Sequence, residues 1–206
     1  MSDPRPAPRR RRGARAGLDQ AAIVDAARGL DPVDVTMQGV ATALGVDRKA
    51  LNHHVTDRES LLELLAIDAF RRRFSADEVD LGETWQSACR AYADNMWHSL
   101  VDIGQWLPYF RFTSPRDLAI AGPADVIAAR MLAAGFEPVT VSRALHLLVT
   151  ICRGFAQDAV IGSRAGGHPQ VEDLRVALAT EREGYVALRE LVDARVDNYG
   201  AEQFAF

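Results

Sequence analysis

VTMQGVATALGVDRKALNHHVTDRESLL, residues 35–62, reads as two short helices joined by a tight turn, with a third, longer helix following at once. Val35, Val40, Ala41 and Leu44 recur at helical spacing and bury one face of the first helix. Gly45 follows Leu44, where a helix end favours a residue that tolerates positive φ. Val46 plugs the angle between the helices, and Asp47 can cap the next one through its side-chain oxygen. Leu51 and Val55 give the second helix its own buried edge, while Arg48, Lys49, Asn52, His53 and His54 occupy the other face. This is the arrangement of a helix-turn-helix, whose second helix enters the DNA major groove. Apolar spacing alone also fits any small helical hairpin. The hydrogen-bonding and cationic outer face of the second helix favours the DNA reading.

Working outward, Leu18 to Gly29 forms a preceding helix with Ala22, Ile23, Ala26 and Leu30 on one side. Thr56 is placed as the N-cap of the following helix, with Glu59 completing a capping box, and that helix runs from Asp57 to about Arg73. Ser75 to Glu83 is acidic and reads as a loop. Further helices are expected from Thr84 to about Ile103 and from Pro123 to Ala134. Leu107 to Arg116, broken by Pro108 and Pro115, is rich in aromatic residues. Pro138 to Ile161 is apolar nearly all round and so must be covered on most sides, in part by a second copy of the chain. After a loop from Gly162 to Pro169, Val171 to Val196 reads as one final amphipathic helix. No alternating strand pattern and no internal repeat is found, so the fold class is all-α. The expected organisation is an Arg-rich disordered tail over residues 1–17, a helix-turn-helix domain over 18–56, and an effector-binding and dimerisation domain over 57–206.

The chain has 206 residues, enough for a sizeable core. The hydrophobic share is 48% and the charged share 25%, which suits a soluble globular protein. No run was expected to reach the length of a membrane span, and no membrane partner is expected. The net charge of −4 argues against a wholly basic nucleic-acid coat, yet it is unevenly spread. Residues 1–17 hold six arginines against the single acid Asp3, and the balance is +2 through Ser60 but −6 beyond it. Positive charge thus gathers at the end that carries the motif, as phosphate contact requires. Cys89 and Cys152 sit in helical patterns without a partner at metal-ligand spacing, which points to a reducing cytoplasm. No signal-peptide apolar region follows the arginines.

The motif resembles the TetR family of bacterial transcription repressors. Its signature near "GV…LYxHF…K…LL" is matched by Gly45-Val46, Leu51-Asn52-His53-His54-Val55, Arg58 and Leu61-Leu62. Leu61 to Phe70, Trp85-Gln86 with Arg90, Thr113 with Pro115, and Ala134-Gly135-Phe136 look like the tetracycline repressor subgroup. Three departures stand out: a shortened link from Gly29 to Val35, Asn52 in place of a phosphate-contacting Tyr, and loss of most tetracycline-binding polar side chains.

The resemblance implies a homodimer whose last two long helices pack with their mates. Such a dimer presents two recognition helices roughly 34–36 Å apart and reads a palindromic double-stranded DNA operator. It also implies roles for single residues. Gln38, Arg48 and Lys49 look like the base-reading set, since Gln favours adenine while Arg and Lys favour guanine. Thr36, Asn52, His53, His54 and Arg58 look like the phosphate set; each can equally be solvated surface. The arginine tail reads as a non-specific electrostatic anchor, with insertion into a neighbouring minor groove as the alternative.

A small-molecule effector site is expected among Phe74, Tyr92, Met96, Phe110, Thr113 and Ile127, which align with the inducer contacts of the subgroup. Trp97, Trp106, Tyr109, Phe112, Met131, His146 and Thr150 are further lining candidates, each of which can also be ordinary core. Phe110 stands where the subgroup has its magnesium-ligating histidine, and an aromatic ring cannot coordinate Mg²⁺. Asp158 keeps an acid near that position. The expected effector is therefore apolar or aromatic, with no metal and no cofactor. No nucleophile elbow, Gly-rich phosphate loop or HExxH pair is present, so no catalytic residue is assigned. The reading is a ligand-responsive cytoplasmic, nucleoid-associated repressor. The alternatives are an activator, or a small-molecule-binding module that has lost its operator.

Overall fold

The computed structural model describes residues 18–31, 34–74, 79–111, 115–165, 168–181, 184–194 and 204. Among them every regular element is helical: α1 Gln20–Arg28, α2 Met37–Leu44, α3 Arg48–Leu51, α4 Arg58–Arg73, α5 Trp85–Asp102, α6 Gly122–Ala133, α7 Pro138–Ala165, α8 Pro169–Thr180 and α9 Val186–Asp193. Two 3-10 segments, Gly104–Tyr109 and Pro115–Ala121, join α5 to α6. The chain divides into two compact units between Leu64 and Leu65, inside α4.

The first unit is assembled from local signals. Asp19 caps α1 by accepting from the Ala22 N–H at 2.8 Å. Thr36 caps α2 by accepting from the Gly39 N–H at 3.0 Å. At the far end of α2, Gly45 adopts φ 66°; its N–H reaches the Thr42 carbonyl and the Val46 N–H reaches the Ala41 carbonyl, closing the helix. Asp47 accepts from the Lys49 N–H at 2.7 Å and starts α3. Ile23, Val24 and Ala27 of α1, Met37, Val40 and Ala41 of α2, and Leu51, Val55, Leu61 and Leu62 are all buried. Each large member contributes about 1.5–3 kcal/mol on leaving water.

Gly39 is the tightest point of this unit. A Cβ there would lie 2.2 Å from the Asp34 carbonyl oxygen, a backbone atom that itself accepts from the Thr36 N–H at 2.7 Å. Gly39→Ala is therefore expected to destabilise the motif by about 1–3 kcal/mol through overpacking, although alanine is the better helix former. Thermal unfolding followed by circular dichroism checks this, and a variant as stable as the parent would refute it.

The second unit is a helical bundle in which α5 packs against both α6 and α7. Thr84 and Ser87 form a full capping box at the start of α5. The Arg130 guanidinium of α6 donates to the Leu81 and Thr84 carbonyls, tying the approach to α5 onto α6. Trp85 meets Phe136 edge to face at 5.3 Å. The core runs from Ala66, Ile67 and Phe70 through α5 to Ile127, Met131, Cys152 and Ala156.

Four expectations need correction. The cap of α4 is one residue later than expected: Asp57 Oδ1 accepts from the Ser60 N–H at 2.8 Å, and Ser60 Oγ accepts from the Asp57 N–H at 3.0 Å. Asp57 and Ser60 thus form the reciprocal pair assigned to Thr56 and Glu59. The second helix of the motif is short, its helical part ending at Leu51, with 52–54 as a turn held by bonds from the His54 and Val55 N–H groups to the Leu51 carbonyl. The last long helix is two, α8 and α9, because the chain reverses at Gly184 (φ 88°) and Tyr185 (φ 51°). Arg189 of α9 donates to the Leu178 and Glu181 carbonyls across that break. Finally, α7 is long and apolar enough to cross a membrane by length and composition, with mean hydropathy 1.3 over an 18-residue window within residues 138–164. It packs on α5 and α6, with Cys152 and Ala156 buried, while Val139, Leu147 and Ile151 stand exposed.

Candidate nucleic-acid interface and ligand site

The motif sorts its residues as a DNA-reading element must. Leu51 and Val55 are buried, whereas Arg48, Lys49, Asn52 and His53 are exposed and His54 is half-buried. Arg48 and Lys49 occupy the first two positions of α3, fixed by the Asp47 cap. Gln38 is exposed on α2, its Nε2 3.4 Å from the Thr42 hydroxyl. Thr36 is half-buried and spends its hydroxyl on the α2 cap. Arg58 is exposed in the first turn of α4. The arginine tail, residues 1–17, lies outside the described residues.

Asp57 ties the start of α4 down electrostatically. The Ser60 backbone N–H, then the Ser60 hydroxyl, favour its ionised form and hold its pKa below the ordinary value. A carboxyl whose folded pKa is depressed stabilises the fold above its unfolded pKa, about 3.9, and loses that contribution as pH falls through the folded value. Asp57→Ala should therefore lower the melting temperature at pH 7, and the gap from the parent should narrow below pH of about 4. A gap independent of pH would contradict this assignment.

In the second unit, seven of the predicted ligand residues converge. Phe74, Tyr92, Met96, Trp97, Phe110, Ile127 and Met131 are all buried members of one cluster. Phe70, at its centre, stacks on Phe74 at 5.0 Å and meets Phe110 at 4.4 Å. Phe74 in turn meets Tyr92 edge to face at 6.1 Å. Trp106 and Tyr109 lie half-buried against the cluster. His146 and Thr150, by contrast, are exposed on α7, and Thr150 bonds the His146 carbonyl at 2.8 Å. Thr113 and Phe112 lie outside the described residues.

Burial dominates the chemistry of this cluster. It pushes the Tyr92 phenol up to about 12, with a smaller contribution from Cys152, and the Cys152 thiol up to about 11. Both shifts favour the neutral phenol and the neutral thiol. Cys152 Sγ points at the Ala93 carbonyl, 3.7 Å away. Asp158 Oδ1 lies 3.5 Å from His168 Nε2, and His168 Nδ1 accepts from the Gln170 N–H at 3.3 Å. Among the described residues no three His, Cys, Asp or Glu side chains gather as a metal site.

Three features escaped the sequence reading. Trp97 Nε1 and Asn95 Oδ1, both on α5, are buried without a hydrogen-bond partner among the described residues. Phe204 stacks on Trp97; its sequence signal is one of two phenylalanines in AEQFAF, residues 201–206. A cleft of about 400 Å³ is lined by Ala69, Arg72, Arg73, Asp102, Ile103 and Trp106. Both of its arginines are ion-paired, Arg72 with Asp68 at 2.5 Å and Arg73 with Asp102 at 3.6 Å.

The architecture is that of the TetR-family transcriptional regulators: helix-turn-helix first, helical bundle second. A possible TetR family transcriptional regulator from Streptomyces coelicolor A3(2) superimposes with TM-score 0.67 at 19% identity, covering 91% of this chain and 94% of that one. A TetR variant from Acinetobacter baumannii AYE, solved in complex with minocycline, gives 0.58 at 24% identity over 72% of this chain and 84% of that one. BioQ, solved with its double-stranded DNA operator, gives 0.55 at 24% identity over 80% and 95%. No family sequence model and no curated protein matches the chain.

Proposed function

We propose that this protein is a transcriptional regulator that binds a palindromic DNA operator as a homodimer and is released by a small apolar or aromatic effector. The observation that carries the DNA half is the exposed, capped pair Arg48 and Lys49 on an element whose opposite edge, Leu51 and Val55, is buried. BioQ, of like fold, was solved on its operator, which lends support to that reading. Gln38, Arg48 and Lys49 read bases, and Asn52, His53, His54 and Arg58 contact phosphates. Thr36 accepts the Gly39 N–H in its helix cap, and its hydroxyl hydrogen can still be donated to a phosphate.

The dimer is supported by exposed apolar side chains on the last three helices. Leu147 is 58% exposed, Val186 75% and Leu191 68%. A second copy packed on these helices would cover them.

The effector half is supported by the aromatic cluster around Phe70 and by the minocycline complex of a protein of like fold. Phe110 and Ile127 give this chain no oxygen ligands there, so a magnesium–tetracycline chelate does not fit. Effector binding favours a form whose recognition helices are wrongly spaced for DNA, with α4 as the lever.

Salt titration of duplex binding tests the reading. The full chain should bind with affinity that falls steeply as salt rises, and removal of residues 1–17, six arginines from each of two chains, should weaken binding to every duplex and flatten that slope by up to about ten units. Loss confined to one cognate sequence would show the tail reading bases, and no binding at low salt would refute the regulator reading.

A further inference from the structure

We infer that Phe204 is a resident occupant of the ligand site, seated on Trp97, and that the ligand is a flat aromatic molecule with one neutral hydrogen-bond acceptor that replaces it. This inference rests on reading the second unit as an effector compartment. Trp97 is only 6% exposed and lies in the same buried cluster as Tyr92, Met96 and Ile127. Its indole N–H is buried without an acceptor among the described residues. An indole donor deprived of water and given no partner is costly, and buried indoles ordinarily find one. The exception marks a place where an acceptor can arrive from outside the chain.

The ring of Trp97 is already in use. Phe204 lies parallel to it, with centroids 5.1 Å apart and planes at 13°, and also meets Phe155 edge to face at 5.7 Å. Phe204 is only partly buried. A phenyl ring fills the stacking position and offers nothing to the indole N–H. A ligand with a fused aromatic ring and an acceptor at its edge makes the same stack and satisfies the donor as well. Its advantage over Phe204 is that one hydrogen bond.

The acceptor is a ketone-type oxygen rather than a carboxylate. The surrounding cluster is built of apolar side chains, and carrying an ion into it costs far more than carrying a carbonyl. A single N–H suits a single carbonyl.

Equilibrium dialysis against two matched probes, 2-acetonaphthone and 2-ethylnaphthalene, separates these claims. They share the ring and a two-carbon substituent, and only the first carries an acceptor oxygen. Phe204→Ala should raise affinity for both probes about two- to tenfold, because each no longer competes with the resident ring. Phe204→Leu, which keeps apolar volume but loses the stack, should move both in the same direction by less. Trp97→Phe should weaken the ketone about fivefold while leaving the hydrocarbon near its parent value. Unchanged or weaker binding in both Phe204 variants would make that ring part of the wall and overturn the inference, as would absence of binding to Phe204→Ala. Equal losses of both probes in Trp97→Phe would remove the acceptor claim. Duplex binding by the unmodified chain, measured alongside, keeps the outcomes apart: a chain that binds DNA but shows no Phe204 effect sinks only this inference, and one that gains probe affinity yet ignores DNA sinks only the regulator reading.

Discussion

Replacing Arg48 and Lys49 together by alanine should cost at least about a hundredfold in operator affinity. Each side chain sits exposed at the start of α3, where it can reach a base edge or phosphate, and each such contact is worth about 1–3 kcal/mol. The fold should be untouched, because neither side chain contributes to the buried edge formed by Leu51 and Val55. Affinity measured by fluorescence anisotropy, with helicity and melting temperature as controls, gives the result. A variant that keeps parental affinity would move the DNA-reading surface away from this element. The salt slope should change little, because both side chains are assigned to base edges rather than to phosphates.

The second large effect lies in the bundle. Phe70 is fully buried, stacked on Phe74 and in contact with Phe110. Phe70→Ala should destabilise the protein by about 3–5 kcal/mol, combining lost transfer free energy with the cavity left behind. The loss should be partly recovered by small aromatic molecules such as benzene, since an apolar void of that kind stays dry and takes apolar guests. Urea denaturation with and without benzene reads both. A loss below about 1 kcal/mol would mean that the ring cluster does not organise the bundle.

The parts of the fold legible in the sequence are those in which one residue type has one job. Gly45 occupies a left-handed position at the end of α2, and Asp47 caps α3, as their residue types require. Leu51 is buried and Arg48 and Lys49 are exposed as the residue types suggest, but Val55 is buried from beyond the end of α3, where helical period no longer applies. The start of α4 was ambiguous because two capping patterns overlap in TDRES: Thr56 with Glu59, and Asp57 with Ser60. Both satisfy the spacing, and only backbone geometry selects the second.

The break between α8 and α9 was missed for a different reason. Apolar period continues through Leu178, Tyr185, Leu188 and Val192, so the pattern hides the reversal at Gly184 and Tyr185. At the candidate ligand site, the family resemblance named five residues that lie in one buried cluster, joined by the further candidates Trp97 and Met131, but the candidates His146 and Thr150 are exposed on α7. Period tells which residues share a helical face. It does not tell whether that face meets the protein's own core or a second chain. Contacts distant in sequence, such as Phe204 on Trp97, leave no periodic trace at all.

Selection of bound fragments from a random duplex pool, followed by sedimentation of the protein on the enriched sequence, tests the central claim most directly. The account predicts an inverted repeat with half-sites about one helical turn apart and two chains on each duplex. A pool that stays random at low salt, or a single chain on an asymmetric site, would contradict it.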